Sequence, residues 1–284
     1  MVASPAQVGA DLESTALAAG RRPQQLLLGL LGAVVMNRHP VPVPTRVFLR
    51  IFGSLGIGDA ATRATLARMT RSGLLARHQL GRTAAFRLTD RGEGLLREAA
   101  SRVQSSKPFE HADGEWTLLS FSLPESRRDL RHQLRARLTW AGFGPLRDGL
   151  WIAPGTVDVD KVLADVPLGD DEEQIPHAFV ARPAPPTRLD LVVRRAWDLA
   201  ELRAEHERFL RLWERHPATG GKQLAELTLF VSDWLRLLRA DPGLPAAYLP
   251  EDWPSARSVA TYLRLRGELE GPARTAFGRL VGSP

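Results

Sequence analysis

Within Asp59–Ser72 the large polar side chains are Arg63, Arg68 and Arg71, set among small Ala and Thr, and only Leu66 and Met69 are large and apolar. A helix built for a core carries a wider apolar stripe than this. The narrow seam serves for docking on neighbouring helices and leaves a guanidinium-bearing face. Arg pairs bidentately with O6 and N7 of guanine, and a major groove about 12 Å wide admits one helix. Small residues such as Ala60, Ala61 and Ala64 let such a backbone approach the bases. A second basic group follows: Arg77, His78, Arg82 and Arg87 lie on or beside two strand-like runs whose turn holds Gly81. A basic hairpin tip reaches phosphates or an adjacent minor groove. The plainer alternatives are a solvated hairpin with scattered charge and a surface helix in a protein–protein module.

The surrounding pattern predicts the elements that must hold these groups. Pro23 suits the first turn of a helix to about Met36, with Leu27, Leu30, Leu31 and Val34 on one face. Pro40, Pro42 and Pro44 force an extended connector. Thr45 is placed to cap a second helix that buries Val47, Phe48, Ile51, Phe52 and Leu55, and Gly56 and Gly58 end it. Asp59 caps the third helix and Gly73 stops it. Strands at Leu75–Gln79 and Ala84–Leu88 follow, and Thr89 opens a fourth helix with Leu95, Leu96, Ala99 and Val103 facing one way. Three helices, a hairpin and a helix is the order of a winged helix-turn-helix, expected over residues 23–106 behind a loose tail at 1–22.

Charge agrees with this reading. Arg21–Ser106 holds fourteen Arg, no Lys, two Asp and two Glu, in a chain of 284 residues with 38 basic and 32 acidic residues overall. The positive excess sits in that one segment, which points to a polyanionic partner, usually nucleic acid. A genome rich in G and C accounts for Arg over Lys but not for the missing carboxylates. At 44% hydrophobic and 25% charged, the chain is not largely disordered. The longest apolar candidate, Leu26–Met36, falls short of the ~18 residues a membrane span needs. With no cysteine there is no disulfide and no thiolate chemistry. No secretory signal is evident at the start of the chain, so a cytoplasmic protein with no membrane partner is expected.

After a polar linker at Ser105–Gly114 the pattern changes. Trp116–Leu123 alternates like a strand, and Pro124 starts a helix with Leu130, Leu134, Leu138 and Ala141 on one face, ended by Gly142. Strands near Phe143–Arg147 and Leu150–Ala153 flank a turn at Asp148-Gly149. A helix near Asp158–Val166 and a strand near Pro176–Ala181 complete β-α-β-β-α-β, the ferredoxin-like order, over residues 115–182. The acidic run Asp170-Asp171-Glu172-Glu173 reads as a solvated loop rather than a metal site. Arg182-Pro183-Ala184-Pro185-Pro186 is a stiff linker. Residues 187–284 read as a helical domain, with helices from about Asp198 to His216, about Lys222 to Arg239, and from near Pro254. The whole is an α+β multidomain chain.

The sequence has no HExxH, no phosphate loop and no GxGxxG after a strand. The histidines at 39, 78, 111, 132, 177, 206 and 216 do not cluster at ligand spacing. Ser120 and Ser122 lack a nucleophile-elbow context. Binding is favoured over catalysis, with no cofactor and no metal expected.

Three stretches resemble the PaaX-like repressors of phenylacetic-acid degradation. They are Gly56-Ile57-Gly58-Asp59 through Arg63, Thr65, Arg68 and Gly73-Leu74; Trp116–Phe121, Pro124-Glu125, Arg128, Leu134-Arg135, Leu138, Gly142-Phe143 and Trp151–Pro154; and Trp197–Leu199 with Asp241-Pro242, Leu244-Pro245, Leu249-Pro250 and Asp252–Pro254. The resemblance covers about residues 23–265 and implies a GntR-like winged helix, a Cas2-like ferredoxin domain and a helical C-terminal domain. It also implies a homodimeric repressor on double-stranded DNA, with a palindromic operator, released by an effector such as an aryl- or acyl-CoA thioester. Carried over by position, Arg63, Thr65 and Arg68 read or anchor DNA, and Arg82 and Arg87 serve the wing; Thr62, Arg71 and Arg77 complete the candidate set. Ser232–Leu235 and Trp253-Pro254-Ser255 depart from the family's usual His-Glu-Tyr-Arg-like and Trp-Pro-Gly runs, which puts phenylacetyl-CoA itself in doubt as the ligand. Trp234, Tyr248, Trp253 and Tyr262 are the candidate effector-pocket aromatics, with a core role as the alternative. The Cas2 likeness raises one alternative of another class, a metal-dependent nuclease. That chemistry needs an Asp at the end of the first strand, where this chain has Leu119-Ser120-Phe121-Ser122-Leu123. A protein that only contacts other proteins is the remaining alternative.

Overall fold

The computed structural model describes residues 21–35, 41–104, 108–109, 114–164, 166–167, 176–217 and 222–282. The expected tail up to residue 20, Met36, Pro40, most of the first linker and the acidic run at 170–173 lie outside the described residues. The chain divides into two compact units: Met1–Ser105 with Leu212–Leu235 and Ala260–Pro284, and Ser106–Arg211 with Arg236–Val259.

The first unit opens with α1 (Pro23–Leu30), which continues as a π-helical turn at Leu31–Val35. The sequence predicts one apolar face, but Leu26 through Leu30 are all buried. Gly29 explains part of this. A Cβ there would lie 3.1 Å from the Thr228 carbonyl and 3.2 Å from the Ser232 amide, so the absence of a side chain eases the close approach to α9 (Gln223–Ala240). Strand β1 (Val43–Pro44) leads into α2 (Thr45–Gly53). Thr45 is not the cap it was expected to be: Pro44 holds that position, and the Thr45 hydroxyl donates to the Ala84 carbonyl at 2.6 Å. Asp59 likewise is the first residue of α3 (Asp59–Arg71) rather than its cap, which is Gly58. It still places a carboxylate in the first turn, where the helix dipole favours it.

Strands β2 (Leu75–Leu80) and β3 (Thr83–Leu88) form a hairpin, and β3 also pairs with β1, giving the antiparallel order β1-β3-β2. Thr89 precedes α4 (Asp90–Gln104), its hydroxyl accepting from the Gly92 amide at 3.1 Å and donating to the Gly73 carbonyl at 2.6 Å. Phe48 and Phe86 meet edge to face at 6.2 Å and tie α2 to the hairpin. On the C-terminal side of this unit, the buried Asp233 carboxylate accepts from the Trp213 indole at 2.9 Å and from the Arg21 guanidinium.

The second unit is built on β4 (Trp116–Ser120), α5 (Arg128–Trp140), β5 (Gly144–Arg147), β6 (Leu150–Pro154), α6 (Val159–Leu163) and β7 (His177–Ala181). All neighbouring strands are antiparallel, in the order β5-β6-β4-β7. Pro124 leads first into a short 3-10 turn, Glu125–Arg127, and only then into α5. One sheet face packs Leu119, Phe121, Trp151 and Ala153 on Leu130, Leu134 and Leu138 of α5. The other packs Trp116 and Ile152 on Val193 and Ala196 of α7 (Leu189–Ala196). That helix was not predicted, because an eight-residue segment between a proline-rich linker and Trp197 is too short to show periodicity. Asp198 accepts from the Ala200 and Glu201 amides at the start of α8 (Leu199–Trp213). The last helix, α10, spans Ser255–Gly282, and α8, α9 and α10 each give residues to both units.

Candidate nucleic-acid interface

Helix α3 divides sharply by burial. Thr62, Thr65, Leu66 and Met69 are 0–1% exposed, while Ala60, Arg63, Ala64, Ala67, Arg68 and Arg71 are exposed. At 3.6 residues per turn, Ala60, Ala64, Ala67 and Arg71 run down the middle of the outer face, with Arg63 and Arg68 about 70° to either side. Small side chains thus form the ridge and guanidinium groups its flanks and C-terminal end.

Thr62 and Thr65 do not belong to that face. Their hydroxyls donate back to carbonyls of the preceding turn, Thr62 to Gly58 at 3.2 Å and Thr65 to Ala61 at 2.8 Å, and neither presents a group outward. Thr65 still contributes indirectly, because its oxygen accepts from Arg68 Nη2 at 3.3 Å and anchors that side chain. Arg63 lies 3.9 Å from Asp59 in an ion pair exposed on both sides. Such pairs contribute ~0–1 kcal/mol, so Asp59 holds the Arg63 guanidinium only weakly.

Hairpin geometry separates the remaining arginines. Arg77 is opposite Phe86, and Arg87 is opposite Ala76. Successive strand residues point to opposite sides, so Arg77 and Arg87 lie on different faces of the hairpin. Arg82 stands at the tip, where Gly81 takes φ +57° and Gln79 Nε2 donates to the Gly81 carbonyl at 3.0 Å. Arg71, Arg77, Arg82 and Arg87 make no ion pair or hydrogen bond from their side chains with the described residues.

The four candidate effector aromatics divide between the units. In the first, Trp234 stacks on Tyr262 at 4.2 Å and Phe230 stacks on the same ring at 5.3 Å. Burial pushes the Tyr262 phenol up to about 12. In the second, Tyr248 lies 6.3 Å from Trp116 and Trp253 lies 6.1 Å from His206, both packed on the second face of the sheet. A constellation that sequence reasoning missed is His206 between Ser258 Oγ at 2.9 Å and Asp241 Oδ2 at 2.7 Å. Its distances match those of a nucleophile, base and orienting carboxylate. All three residues are 0–3% exposed, so no substrate reaches the hydroxyl. The only sequence cue was Asp241 ahead of Pro242-Gly243, a turn signal that says nothing of its partners.

No group of three or more His, Cys, Asp or Glu with metal-binding arrangement occurs among the described residues. At the end of β4, where nuclease chemistry needs an acid, Ser120 and Ser122 face a cleft lined also by Arg131, Arg135 and Arg147. Guanidinium groups there repel a divalent cation instead of holding one.

Comparison with known proteins gives concordant results along the chain. A family model described as "PaaX-like protein" matches residues 22–92, one described as "PaaX protein central Cas2-like domain" matches 110–181, and one described as "PaaX-like protein C-terminal domain" matches 197–279. The curated Transcriptional repressor PaaX of Escherichia coli (strain K12) is 31% identical over 243 residues, covering 78% of this chain and 72% of that protein. Among solved structures, the uncharacterized protein Rv0674 from Mycobacterium tuberculosis superposes with a TM-score of 0.56 at 26% identity, over 89% of this chain and 96% of that one. No helix among the described residues is long and apolar enough to cross a membrane. Three consecutive family matches and a curated relative spanning most of both chains establish that this chain belongs to the PaaX-like family, with a Cas2-like central domain.

Proposed function

We propose that the protein is a sequence-specific DNA-binding transcriptional regulator of the cytoplasm: a homodimeric repressor on a palindromic operator, released by a small-molecule effector such as an aryl- or acyl-CoA thioester. The observation that carries this reading is the outer face of α3, an alanine ridge flanked and ended by exposed arginines. The order α1, α2, α3, β2, β3, α4 supports a winged helix-turn-helix with α3 as the reading helix and β2–β3 as the wing. In the second unit the order β-α-β-β-α-β and the strand order β5-β6-β4-β7 support a ferredoxin-like domain. The name of the Escherichia coli relative, a transcriptional repressor, supports repression as the output.

Gel shifts on the chain's own upstream DNA, at two salt concentrations, test the proposal. Arg63→Ala and Arg68→Ala are expected to lose preference for the operator over scrambled DNA, at ~1–3 kcal/mol for each bidentate guanine contact removed. Arg82→Ala is expected to weaken binding to all sequences alike and to lower the salt slope by about one. Wild-type behaviour of both helix variants at both salt concentrations overturns the assignment of α3.

A further inference from the structure

The cleft at the end of β4 occupies about 740 Å³, within the range of ~300–1,000 Å³ typical of small-molecule sites. Arg131 and Arg135 enter it from one face of α5, four residues apart and one turn above each other, and Arg147 enters from the end of β5. His177 at the start of β7 and the hydroxyls of Ser120 and Ser122 complete the polar wall, against a single carboxylate, Asp148. Trp151, itself buried, contributes to the apolar floor.

Elsewhere in the same unit arginines meet carboxylates: Arg236 with Glu205 at 2.6 Å, Arg203 with Asp252 at 2.6 Å, and Arg194 with Asp190 at 2.8 Å. Arg135 and Arg147 meet none among the described residues, although both line one concave surface. Converging like charges raise the energy of the empty site, and an anion relieves it. The walls are fixed in place. Gly149 takes φ +70°, its carbonyl accepts from the Phe121 amide at 2.9 Å, and a Cβ there would stand 2.5 Å from the Phe121 carbonyl oxygen. The β5–β6 turn is thereby held against the end of β4. Arg131 Nη2 donates to the Leu123 carbonyl at 2.6 Å, which braces the α5 side.

We propose that this cleft binds a phosphate-bearing nucleotide-type ligand, its phosphoryl groups on Arg131, Arg135 and Arg147 and its apolar portion against Trp151. Guanidinium forks match phosphate oxygens two at a time, and a cleft of this size exceeds what a bare phosphate fills. The assignment of this ligand as the effector rests on the regulator reading above; the binding itself does not.

Calorimetric titration of the full-length protein with coenzyme A, adenosine 3′,5′-diphosphate and inorganic pyrophosphate tests it. Coenzyme A and the diphosphate are expected to bind, more weakly at higher salt. Arg135→Glu and Arg147→Glu, both at exposed positions, are expected to weaken that binding at least tenfold while keeping the wild-type melting temperature and the wild-type gel shift on DNA. Absence of binding by all three probes, or equal affinity in wild type and both variants, overturns the proposal. Loss of DNA retardation in the two variants also overturns it, since the cleft would then hold backbone phosphates of a duplex. If wild-type protein retards no DNA yet binds coenzyme A through Arg135 and Arg147, the regulator reading falls and the cleft assignment stands.

Discussion

His206 joins two buried oxygens, Ser258 Oγ at 2.9 Å and Asp241 Oδ2 at 2.7 Å. Asp241 Oδ2 accepts from the Nε2–H of the ring, and in that tautomer Nδ1 accepts from the Ser258 hydroxyl, so each polar atom of the chain is matched. Asp241 Oδ1 also accepts from the Gly243 amide at 2.7 Å, so the network shapes the turn after α9. Phe109 and Trp253 close over the ring at 5.0 and 6.1 Å. Removing the imidazole deprives a buried carboxylate of a principal partner and opens a void beside those rings. His206→Ala is therefore expected to destabilise the second unit by roughly 3–5 kcal/mol, the cost typical of breaking a buried pair from one side. Ser258→Ala, which removes a neutral partner only, is expected to cost about 1–3 kcal/mol. Urea unfolding followed by a probe in the second unit measures both, and equal small losses for the two variants would show that Asp241 does not depend on the ring.

At the scale of elements, the position of α4 against the hairpin depends on one missing methyl group. A Cβ at Gly92 would fall 2.2 Å from the Leu74 carbonyl oxygen, a backbone atom that cannot rotate away. Gly92→Ala is expected to shift α4 off the entry to β2 and to destabilise the first unit by about 1–3 kcal/mol or more, as overpacking does. Two residues further on, Gly94 has nothing within 4 Å of its Cβ position. Gly94→Ala is expected to stabilise the same helix by about 0.4–1 kcal/mol, through the smaller entropy of the unfolded chain. Paired melting curves check the contrast, and a Gly92→Ala protein as stable as wild type would refute it. The sequence carries the presence of a glycine but not the identity of the backbone that approaches it. The same limit governs the rest of the fold. Long amphipathic runs such as Leu130–Leu138 disclose their elements, since periodicity is local. The helix starts lie one residue from the capping signals in the sequence, with Pro44 and Gly58 at the cap positions ahead of Thr45 and Asp59, and the hydroxyl of Thr45 is claimed by Ala84, a partner distant in sequence. Helix α7 escaped notice because its purpose, covering Trp116 and Ile152, exists only once the sheet has formed. For the candidate site, composition disclosed the arginines of α3 and of the β2–β3 hairpin. It did not disclose that Thr62 and Thr65 turn inward, which depends on the phase of the helix against its neighbours.

For the molecule as a whole, the decisive question is how many copies meet one operator, and electrostatics offers a count. Each phosphate neutralised on duplex DNA contributes about −0.9 to the slope of log affinity against log salt. One copy offers six candidate arginines on α3 and the β2–β3 hairpin: Arg63, Arg68, Arg71, Arg77, Arg82 and Arg87. Even if all six met phosphates, the slope would not pass about −5.4, and arginines spent on base edges bring it closer to zero. Two copies on a palindrome, with about four phosphate contacts each once Arg63 and Arg68 are spent on base edges, give a slope of about −7. Two reading helices on one face of DNA also require half-site centres about 34 Å apart, or a multiple of that. Inserting half a helical turn between half-sites is therefore expected to abolish tight binding, and inserting a whole turn to restore part of it. A measured slope shallower than about −5, combined with indifference to the half-turn insertion, would mean that a single copy binds and would remove the symmetric operator from the proposal, while leaving α3 as the reading helix.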